Sequence, residues 1–437
     1  MRELIFSLIS REKKRQRDMI GLIPSENNFS PQVGKILSSC LSSKYSEGYP
    51  QRRYYEGNQN IDQIETEAVD RLKNLFQVPF ANVQSYSGSV ANSAIQFALL
   101  NLGDNLMGLQ LSAGGHLTHG HPKVTFSGKY FNSIQYGLNQ KARIDFDQVE
   151  VLAKQYRPKV IYVGTTAYPF ILDFKKFAEI ADSIGAFLVA DISHICGLIV
   201  SKIHPSPVSY ADIIMSTTHK TFRGPRGAFI LVTQKGLDKN KKLASKINQA
   251  VFPGLQGGPH NATTAAIAIA TKEASGIKFK KYSQNIIDNA LVLSNRLQQN
   301  GLKLVGNGTQ NHLMILDFSN LGFGLGTIIA SALDVAGIYA NKNTIPNEPC
   351  SPFYPSGLRI GTPLVTTRGM RKKEMILIAD WMIKVIDYVK KYSLPTEKEA
   401  RQMFLKEYQK KILRDEFLFS IRQEVKQLAS NFDDFKW

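Results

Sequence analysis

The sequence predicts an α/β protein in which helices cover both faces of a mainly parallel β-sheet. Between residues 81 and 232, short apolar runs typical of strands alternate with segments of helical periodicity. Two of these runs, 160–163 and 186–190, are uninterrupted, as expected of parallel strands that are buried on both faces. Because strands that alternate with helices usually pair in parallel, the order of the elements indicates this fold class.

Helices and one long loop are expected before the sheet. A basic amphipathic helix is predicted over residues 1–18, and further helices are predicted at 31–41 and 60–76. Residues 44–57 are rich in Gly, Tyr and Arg and predict a long loop. Since loops of this length in compact domains are usually functional, this loop is a candidate part of a site.

A smaller α+β unit is expected after the sheet. Residues 286–299 have helical spacing, residues 301–306 contain a glycine turn, and residues 313–318 have the pattern of a strand. The remaining residues predict mainly helices that continue to the C-terminus.

The length of the chain predicts more than one domain. Its 437 residues exceed the size at which a single hydrophobic core is usual. We assign residues 1–60 to an N-terminal helical arm and interface loop, 61–280 to a large α/β domain and 281–437 to a small α+β domain.

The composition is ordinary for a globular protein and contains no candidate membrane span. Hydrophobic residues make up 43% of the chain, and no run approaches the roughly 20 apolar residues of a membrane helix. Cys40, Cys196 and Cys350 are far apart and form no CxxC motif, which is typical of a reducing compartment. As the N-terminus also lacks the pattern of a signal peptide, we expect a cytoplasmic location and no membrane partner.

The net charge of 54 − 36 = +18 is large. The excess basic residues lie in short runs, at 11–17, 235–246, 278–281 and 371–373. Solvated helix faces that favour solubility explain such runs, and binding to nucleic-acid phosphates is the alternative. Because the runs are not interleaved with aromatic residues and no nucleic-acid motif accompanies them, no specific nucleic-acid partner is expected.

A lysine occupies a loop between two predicted strands. The segment 216–227, STTHKTFRGPRG, places Lys220 between the apolar runs 213–215 and 228–232. One interpretation is a lysine that extends its amine to water from a strand end. The other is a lysine held for covalent catalysis, because desolvation makes an amine nucleophilic.

An acidic residue at the end of the preceding strand favours the second interpretation. Asp191 directly follows the apolar run 186–190, and ligands of open α/β sheets bind at the carboxyl ends of the strands. A lysine and an acid so placed suit pyridoxal phosphate, whose aldehyde binds the lysine and whose pyridine nitrogen the acid keeps protonated. A strand-end cap is the alternative role for Asp191.

Two short motifs predict contacts to an anion. Ser87, Gly88 and Ser89 precede a predicted helix, and hydroxyl groups at a helix N-terminus can bind a phosphate. Gly257 and Gly258 are adjacent and allow close approach of the backbone to such a group, although a plain turn needs the same residues.

Two charged residues are candidates for binding and proton transfer. Arg359 lies in a strand-like segment and suits bidentate binding of a carboxylate, whereas a surface salt bridge is the common alternative. Glu47 lies in the long loop, where partial desolvation would let its carboxyl group carry a proton near neutrality. An exposed loop glutamate is the alternative.

Three histidines form an H-x-x-H-x-H cluster without the other features of a metal site. His116, His119 and His121 have no carboxylate or cysteine nearby, and the neighbouring glycine and proline indicate a turning loop. No metal is expected.

Seven segments resemble the serine hydroxymethyltransferase family. They are LIPSEN at 22–27, KYSEGYP at 44–50, GGHLTHG at 114–120, DISH at 191–194, TTHKT at 217–221, VFPGLQGGP at 251–259 and SGLRIGTP at 356–363. They follow one another in the family's order. The resemblance implies the aminotransferase-like fold type I of pyridoxal-phosphate enzymes, with a mainly parallel seven-stranded sheet in the large domain and a small α+β C-terminal domain.

The resemblance also implies a role for individual residues. The catalytic residues would be Lys220, Glu47, Asp191, His194 and Tyr55. Cofactor contacts would come from Tyr45, Ser87, Gly88, Ser89, His116, Thr166, Asp191, His194, Thr217, His219, Lys220, Gly257 and Gly258. The amino-acid substrate would contact Ser25, Glu47, Tyr55 and Arg359, and folate would contact Tyr54, Leu111, Gly115, Leu117 and Asn343. The loops around Glu47 and Gly257 would cross into a neighbouring subunit of a homodimer or tetramer.

The activity implied is the reversible transfer of the serine hydroxymethyl group to tetrahydrofolate, which gives glycine and 5,10-methylenetetrahydrofolate. Serine, glycine and tetrahydrofolate are therefore the expected small-molecule partners. Two alternatives are a folate-independent aldolase of β-hydroxy amino acids and a basic RNA-binding protein that retains the fold with reduced activity. Glu56 stands where the family usually has glycine, which leaves the range of side substrates open.

Overall fold

Strands and helices alternate along most of the computed structural model, which describes residues 3–348 and 350–432. In these residues the strands are β1 (Ile20–Gly21), β2 (Gly48–Tyr49), β3 (Arg52–Arg53), β4 (Phe80–Asn82), β5 (Asn105–Leu109), β6 (Asn132–Tyr136), β7 (Val160–Gly164), β8 (Phe187–Asp191), β9 (Ile213–Thr217), β10 (Ala228–Val232), β11 (Lys303–Leu304), β12 (Leu313–Asp317), β13 (Ile338–Tyr339), β14 (Asn341–Asn343) and β15 (Gly357–Gly361). The α-helices of the same residues are α1 (Leu4–Asp18), α2 (Pro31–Leu37), α3 (Gln59–Phe76), α4 (Gly88–Leu99), α5 (Phe126–Tyr130), α6 (Phe146–Tyr156), α7 (Phe174–Ile184), α8 (Cys196–Val200), α9 (Gln234–Lys239), α10 (Leu243–Gln249), α11 (Asn261–Ala274), α12 (Ile277–Gln299), α13 (Leu325–Val335), α14 (Pro363–Thr367), α15 (Lys372–Val389), α16 (Lys398–Ile412) and α17 (Glu416–Ala429).

The chain divides into two compact units. The larger unit is Phe29–Gln284, and the smaller unit comprises the described residues of Met1–Asn28 and Asn285–Trp437. This division differs from the sequence-based one, which assigned residues 1–60 to a separate arm. Residues before Asn28 join the smaller unit because β1 pairs in parallel with β13, with Leu22 donating its backbone N–H to Tyr339 at 2.9 Å.

The larger unit contains a seven-stranded sheet in the order β4-β10-β9-β8-β7-β5-β6. From β9 to β6 all neighbouring strands are parallel, whereas β10 is antiparallel to both β9 and β4. Every residue of β7, β9 and β10 is buried, which explains why these strands have almost uninterrupted apolar sequences. The predicted mainly parallel, seven-stranded sheet is confirmed.

Helix α7 illustrates how the sequence specifies the covering layers. Asp173 caps its N-terminus by accepting a hydrogen bond from the backbone N–H of Lys176 at 3.0 Å, and Gly185 ends it with a φ of +76°. Its buried face consists of Phe174, Phe177, Ala178, Ile180 and Ala181. The 3.6-residue spacing of these side chains directs one stripe toward the core.

The smaller unit is built on an antiparallel sheet of four strands in the order β11-β12-β15-β14. Apolar side chains of β12 and β15 share one core with α13, α15 and α17, including Leu316, Leu358, Ile329, Met382 and Val425. This arrangement agrees with the expected α+β unit. Among the described helices, none combines the length and hydropathy that a membrane span needs.

Two elements differ from the sequence-based expectation near the candidate site. The predicted loop 44–57 contains a hairpin, since β2 pairs antiparallel with β3 around a turn in which Gln51 has a φ of +63°. Strands of two residues are too short to show a period-2 pattern. The helix that was expected to follow Ser89 begins earlier, at Gly88, because Ser87 caps it.

Candidate active site

The carboxyl ends of four parallel strands carry most of the predicted site residues of the larger unit. Strands β5, β7, β8 and β9 end at Leu109, Gly164, Asp191 and Thr217, and the register pairs Gly164 with Asp191. The loops that follow contain the sets around residues 111–117, 166, 194 and 220. A parallel sheet therefore brings segments more than 100 residues apart to one edge, where open α/β sheets bind ligands.

Asp191 is buried and surrounded by hydrogen-bond donors. Its Oδ2 lies 2.9 Å from His119 Nε2 and accepts a bond from Asn92 Nδ2 at 3.0 Å, while Oδ1 accepts the backbone N–H of Ser193 at 3.1 Å. Burial alone would raise the pKa of Asp191, but the bond to His119 and the nearby charges of His119, His116 and Lys220 hold it well below its usual value. The site thus maintains a buried carboxylate in its ionised form.

The two histidines of the loop after β5 have different environments. The ring of His119 stacks on Tyr162 at a centroid distance of 4.7 Å and is 1% exposed. His116 Nδ1 lies 2.7 Å from Thr118 Oγ1, and burial together with the charge of His119 lowers the pKa of His116 to about 4. His116 is therefore a neutral ring near neutral pH, as suits a group that contacts an aromatic ligand.

The loop that carries Lys220 is fixed by hydroxyl groups. Thr221 Oγ1 donates to the carbonyl of His194 at 2.9 Å, and Thr218 Oγ1 donates to the carbonyl of Pro225 at 2.5 Å. Lys220 and His219 are both partly exposed, whereas the residues around them are buried. Burial, followed by the charge of Lys220, lowers the pKa of His219 to about 3. His219 thus adds no positive charge beside the lysine at neutral pH.

The N-terminus of α4 lies against the same loop. A Cβ at Gly88 would be only 2.6 Å from Thr217 Cγ2, so a larger residue would separate the helix from the loop. Ser87 caps the helix by accepting from Val90 N at 3.4 Å, and Ser87 and Ser89 are both exposed. Exposed hydroxyl groups at a helix N-terminus form a suitable anion site.

Unused polar atoms around this helix end also suit a phosphate group. In the described part of the chain, neither Thr217 Oγ1 nor His219 Nδ1 has a hydrogen-bond partner, although both atoms are buried. Buried polar atoms are normally bonded, so these two are available to a ligand. The residues present therefore fit pyridoxal phosphate, with the carboxylate of Asp191 for its ring nitrogen, Lys220 for its aldehyde and this anion site for its phosphate.

The loop after β5 and the loop after β7 meet at Thr166. Thr166 Oγ1 donates to the carbonyl of Gly115 at 2.8 Å, and its backbone N–H donates to the carbonyl of Gly114 at 2.7 Å. On the same loop, Leu111 and Leu117 keep exposed fractions of 38% and 39%. Two exposed leucines beside the cofactor cluster provide an apolar surface suitable for a pterin ring.

The β2–β3 hairpin and the Gly257–Gly258 segment lie together on the surface of the larger unit. A Cβ at Gly257 would be 3.1 Å from Glu47 Oε1, and one at Gly258 would be 3.2 Å from the Tyr45 ring. Tyr55 donates its hydroxyl to Glu47 Oε2 at 3.0 Å. The side chains of Tyr45, Tyr54 and Tyr55 are 59%, 72% and 46% exposed.

Ser25, Asn343 and Arg359 belong to the smaller unit. Arg359 on β15 pairs in register with Asn341 of β14 and donates from Nε to its Oδ1 at 3.0 Å, while Asn343 pairs with Gly357. The segment that carries Ser25 follows Leu22, whose carbonyl accepts from Gly361 N at 2.8 Å. Burial lowers the pKa of Arg359 to about 10, so its guanidinium stays charged near neutral pH.

Comparison with known proteins shows which family the chain is similar to. Residues 2–382 match the model of the serine hydroxymethyltransferase family. A protein of Acidothermus cellulolyticus named serine hydroxymethyltransferase is 54% identical over 388 residues, which cover 89% of each chain. Proteins of the same name from Sorangium cellulosum and Desulfotalea psychrophila are 52% and 49% identical, covering 88% of this chain and 89% and 88% of their own lengths.

The chain belongs to the serine hydroxymethyltransferase family. The family has the pyridoxal-phosphate fold type I, so the predicted fold class is confirmed together with the family assignment. The prediction of a pyridoxal-phosphate-dependent hydroxymethyltransferase is likewise supported by the named relatives.

Two residues beside Asp191 were not predicted as part of this serine hydroxymethyltransferase site. In the sequence, His119 belonged to a histidine cluster that was not expected to bind a metal, and no role was predicted for Asn92. Asn92 also donates to Thr118 Oγ1 at 2.8 Å, and so links the carboxylate to the loop that carries His116. A polar residue on the buried face of α4 was the one available signal, because unpaired polar groups are rare in such positions.

Proposed function

We propose that the protein catalyses the reversible reaction of serine and tetrahydrofolate to glycine and 5,10-methylenetetrahydrofolate, with pyridoxal phosphate as its cofactor. The observation that carries this proposal is the Asp191 carboxylate, held ionised by His119 at the strand edge that also presents Lys220. Membership of the serine hydroxymethyltransferase family supports the choice of substrates.

Residues of the larger unit would hold the cofactor. Lys220 Nζ would bind it covalently, Asp191 would contact the ring nitrogen, and the α4 N-terminus with Ser87 and Ser89 would bind the phosphate. The other proposed contacts are Tyr45, Gly88, His116, Thr166, His194, Thr217, His219, Gly257 and Gly258. When bound, pyridoxal phosphate supplies an electron sink for the bond that breaks at the amino acid's Cα.

The substrate carboxylate would be bound by Arg359 with help from Ser25. A guanidinium offers two parallel N–H donors that match a carboxylate, and partial removal from water strengthens the pair. Because burial lowers the pKa of Arg359 only to about 10, the residue remains a cation over the whole physiological pH range.

Glu47 is the proposed proton carrier at the substrate hydroxyl. The Tyr55 hydroxyl, which donates to Glu47 Oε2 at 3.0 Å, would orient the carboxylate toward that oxygen. Tyr54, Leu111, Gly115, Leu117 and Asn343 are proposed to contact tetrahydrofolate. The cytoplasmic location, the homodimer or tetramer and the absence of a specific nucleic-acid partner stay predictions.

Glycine formation from serine, measured with and without tetrahydrofolate, tests the function. We expect turnover to require folate, and Lys220→Ala to lose both turnover and borohydride-fixed cofactor while retaining its circular dichroism spectrum. Lys154→Ala, an exposed lysine paired with Glu150 at 2.5 Å, is the matched control and should behave as wild type. Equal rates without folate would instead indicate an aldolase of β-hydroxy amino acids.

A further inference from the structure

Arg53 contacts the backbone carbonyls of the two residues that flank Glu47. Its Nη1 donates to the carbonyl of Ser46 at 2.9 Å and to the carbonyl of Gly48 at 2.9 Å. Gly48 has a φ of +95°, and a Cβ there would collide with the carbonyl of Arg52. The backbone around Glu47 is therefore held by one side chain and by a conformation that only glycine adopts easily.

The same guanidinium is fixed from the other side by α3. Its Nε lies 2.8 Å from Asp62 Oδ1 and its Nη2 lies 2.7 Å from Glu65 Oε2. The side chains of Arg53 and Glu65 are each only 4% exposed. Burying such a pair costs desolvation energy and rarely makes a protein more stable than apolar residues would. A role in positioning the hairpin therefore explains the pair better than a gain in stability does.

A buried amide extends the network to the phosphate-site segment. Gln84 Nε2 donates to Glu65 Oε1 at 2.7 Å and to the Gly48 carbonyl at 2.9 Å. The Gln84 carbonyl accepts from Gln256 Nε2 at 2.7 Å, and Gln256 Oε1 accepts from Tyr86 N at 3.0 Å. Gly257 directly follows Gln256, and Ser87 directly follows Tyr86. One set of hydrogen bonds therefore connects the hairpin that carries Glu47 with the segments that carry Ser87 and Gly257.

We propose that Arg53 is a positioning residue that fixes the Glu47 carboxylate for proton transfer by clamping the two flanking carbonyls. The inference rests on the proposed role of Glu47. Lysine cannot replace arginine here, because its single nitrogen cannot reach two carbonyls and two carboxylates in a fixed fork. Since a misplacement of about 1 Å can cost about 100-fold in rate, loosening this segment should reduce turnover.

A double-mutant cycle between Arg53→Lys and Glu47→Gln tests the inference. In the wild-type background we expect Arg53→Lys to lower kcat for folate-dependent glycine formation about 10- to 100-fold. The dissociation constants of serine and cofactor should change much less. In the Glu47→Gln background, Arg53→Lys should have no further effect on kcat, because the group that it positions is already disabled.

Arg71→Lys is the matched control for this cycle. Arg71 also lies on α3 and also bridges a carboxylate and a carbonyl, with 2.6 Å to Glu67 Oε1 and 2.8 Å to the carbonyl of Ala268. Among the residues that the structure describes, Arg71 forms no hydrogen bond with the hairpin, so its substitution should leave kcat unchanged in both backgrounds.

Glu65→Gln provides a second variant should Arg53→Lys fold poorly. The Glu65 carboxylate accepts from both Arg53 and Gln84, whereas an amide offers one acceptor oxygen to these two donors. We expect the same loss of kcat in the wild-type background and none with Glu47→Gln.

Three outcomes would count against the inference in distinguishable ways. Wild-type kcat in Arg53→Lys and in Glu65→Gln, with a slow Glu47→Gln, would remove Arg53 from the mechanism and leave the role of Glu47 intact. An equal loss in both backgrounds would show a general structural effect. An active Glu47→Gln would overturn the role of Glu47 itself, and the inference with it.

Discussion

Asp191 shows how a buried carboxylate stays charged. Two neighbouring groups, His119 Nε2 and Asn92 Nδ2, converge on one oxygen. A carboxylate can only accept hydrogen bonds when ionised, so His119 must carry its proton on Nε2. Nδ1 of the same ring has no hydrogen-bond partner in the described residues.

His119→Phe should raise the pH at which acid weakens cofactor binding. Phenylalanine keeps the stacking on Tyr162 but removes the bond to Asp191. Burial is the largest influence on the pKa of Asp191 and acts upward, so the pKa rises once the opposing bond is lost. The charged carboxylate, present above its pKa, would then be lost at a higher pH.

The measurement is bound-cofactor absorbance as the pH is lowered from about 7 to about 3. A hydrogen bond to a charged group contributes about 1.5–3 kcal/mol, which corresponds to an upward shift of roughly 1–2 pH units in the acid limb. His121→Phe is the control, because within the described residues that ring accepts one hydrogen bond, from the backbone N–H of Lys123 at 3.3 Å. Superimposable profiles for wild type and His119→Phe would contradict the argument.

The sequence predicted those site residues that come directly after a recognisable strand. Asp191 follows β8 and Lys220 follows β9, so the fold class alone places both at one edge. His119 and Asn92 could not be found in the same way, because their contact with Asp191 joins positions 72 and 99 residues away. Such contacts depend on tertiary packing, which periodicity does not encode.

At the scale of elements, Arg368 joins the ends of two helices in the smaller unit. It is 2% exposed and directly follows α14. Its Nη1 donates to the carbonyl of Met19 at 2.6 Å, and its Nη2 donates to the carbonyls of Arg17 at 2.7 Å and Ala429 at 3.0 Å. These carbonyls lie at the C-terminal ends of α1 and α17, where helices leave acceptors unsatisfied.

Arg368→Met should therefore loosen α1 and α17 together. Methionine has a similar length but no donors, and several buried carbonyls would lose a charged partner, at a cost of at least about 3 kcal/mol. Hydrogen exchange of the two helices is the readout, and protection should fall in both. Arg422→Met, which removes a single bond to the Val335 carbonyl at 3.0 Å, should cost about 1 kcal/mol. Loss of protection in α1 alone would argue against a shared anchor.

Elements were predictable where their pattern is long or fully buried. Strand β10 was placed at Ala228–Val232 and the α3 region within one residue of its observed start, because apolar burial determines both. The hairpin of β2 and β3 was missed because its two-residue strands are held mainly by Arg53 rather than by an apolar face. The start of α4 at Gly88 was missed because the Ser87 cap, not hydrophobic spacing, defines it.

At the scale of the whole molecule, the exposed side chains of the hairpin bear on the predicted homodimer or tetramer. Tyr45, Tyr54 and Tyr55 are exposed, and Tyr54 packs edge-on against Phe252 with ring centroids 5.7 Å apart. Exposed tyrosines grouped around a charged residue are typical of protein interfaces, where aromatic side chains are enriched. This supports the prediction of active sites completed by a neighbouring subunit, in which Glu47 of one subunit serves Lys220 of another.

Subunit mixing between Glu47→Gln and Lys220→Ala tests that prediction. Glu47→Gln keeps the shape of the side chain but cannot carry a proton, so it should bind serine and cofactor nearly normally and lose about 10²–10⁴-fold in turnover. Lys220→Ala removes the covalent attachment of the cofactor. In a dimer with shared sites, a mixed pair contains one site with both defects and one site with neither. Activity should therefore return when the two inactive proteins exchange subunits, up to about one intact site per mixed dimer.

Mixing each variant with a Lys154→Ala protein sets the level of activity that is expected of a mixture, and exchange is verified with subunits of different mass. If exchange occurs and no activity returns, Glu47 serves the Lys220 of its own chain; an already active Glu47→Gln would instead show that the carboxylate is dispensable, so the two failures are separable.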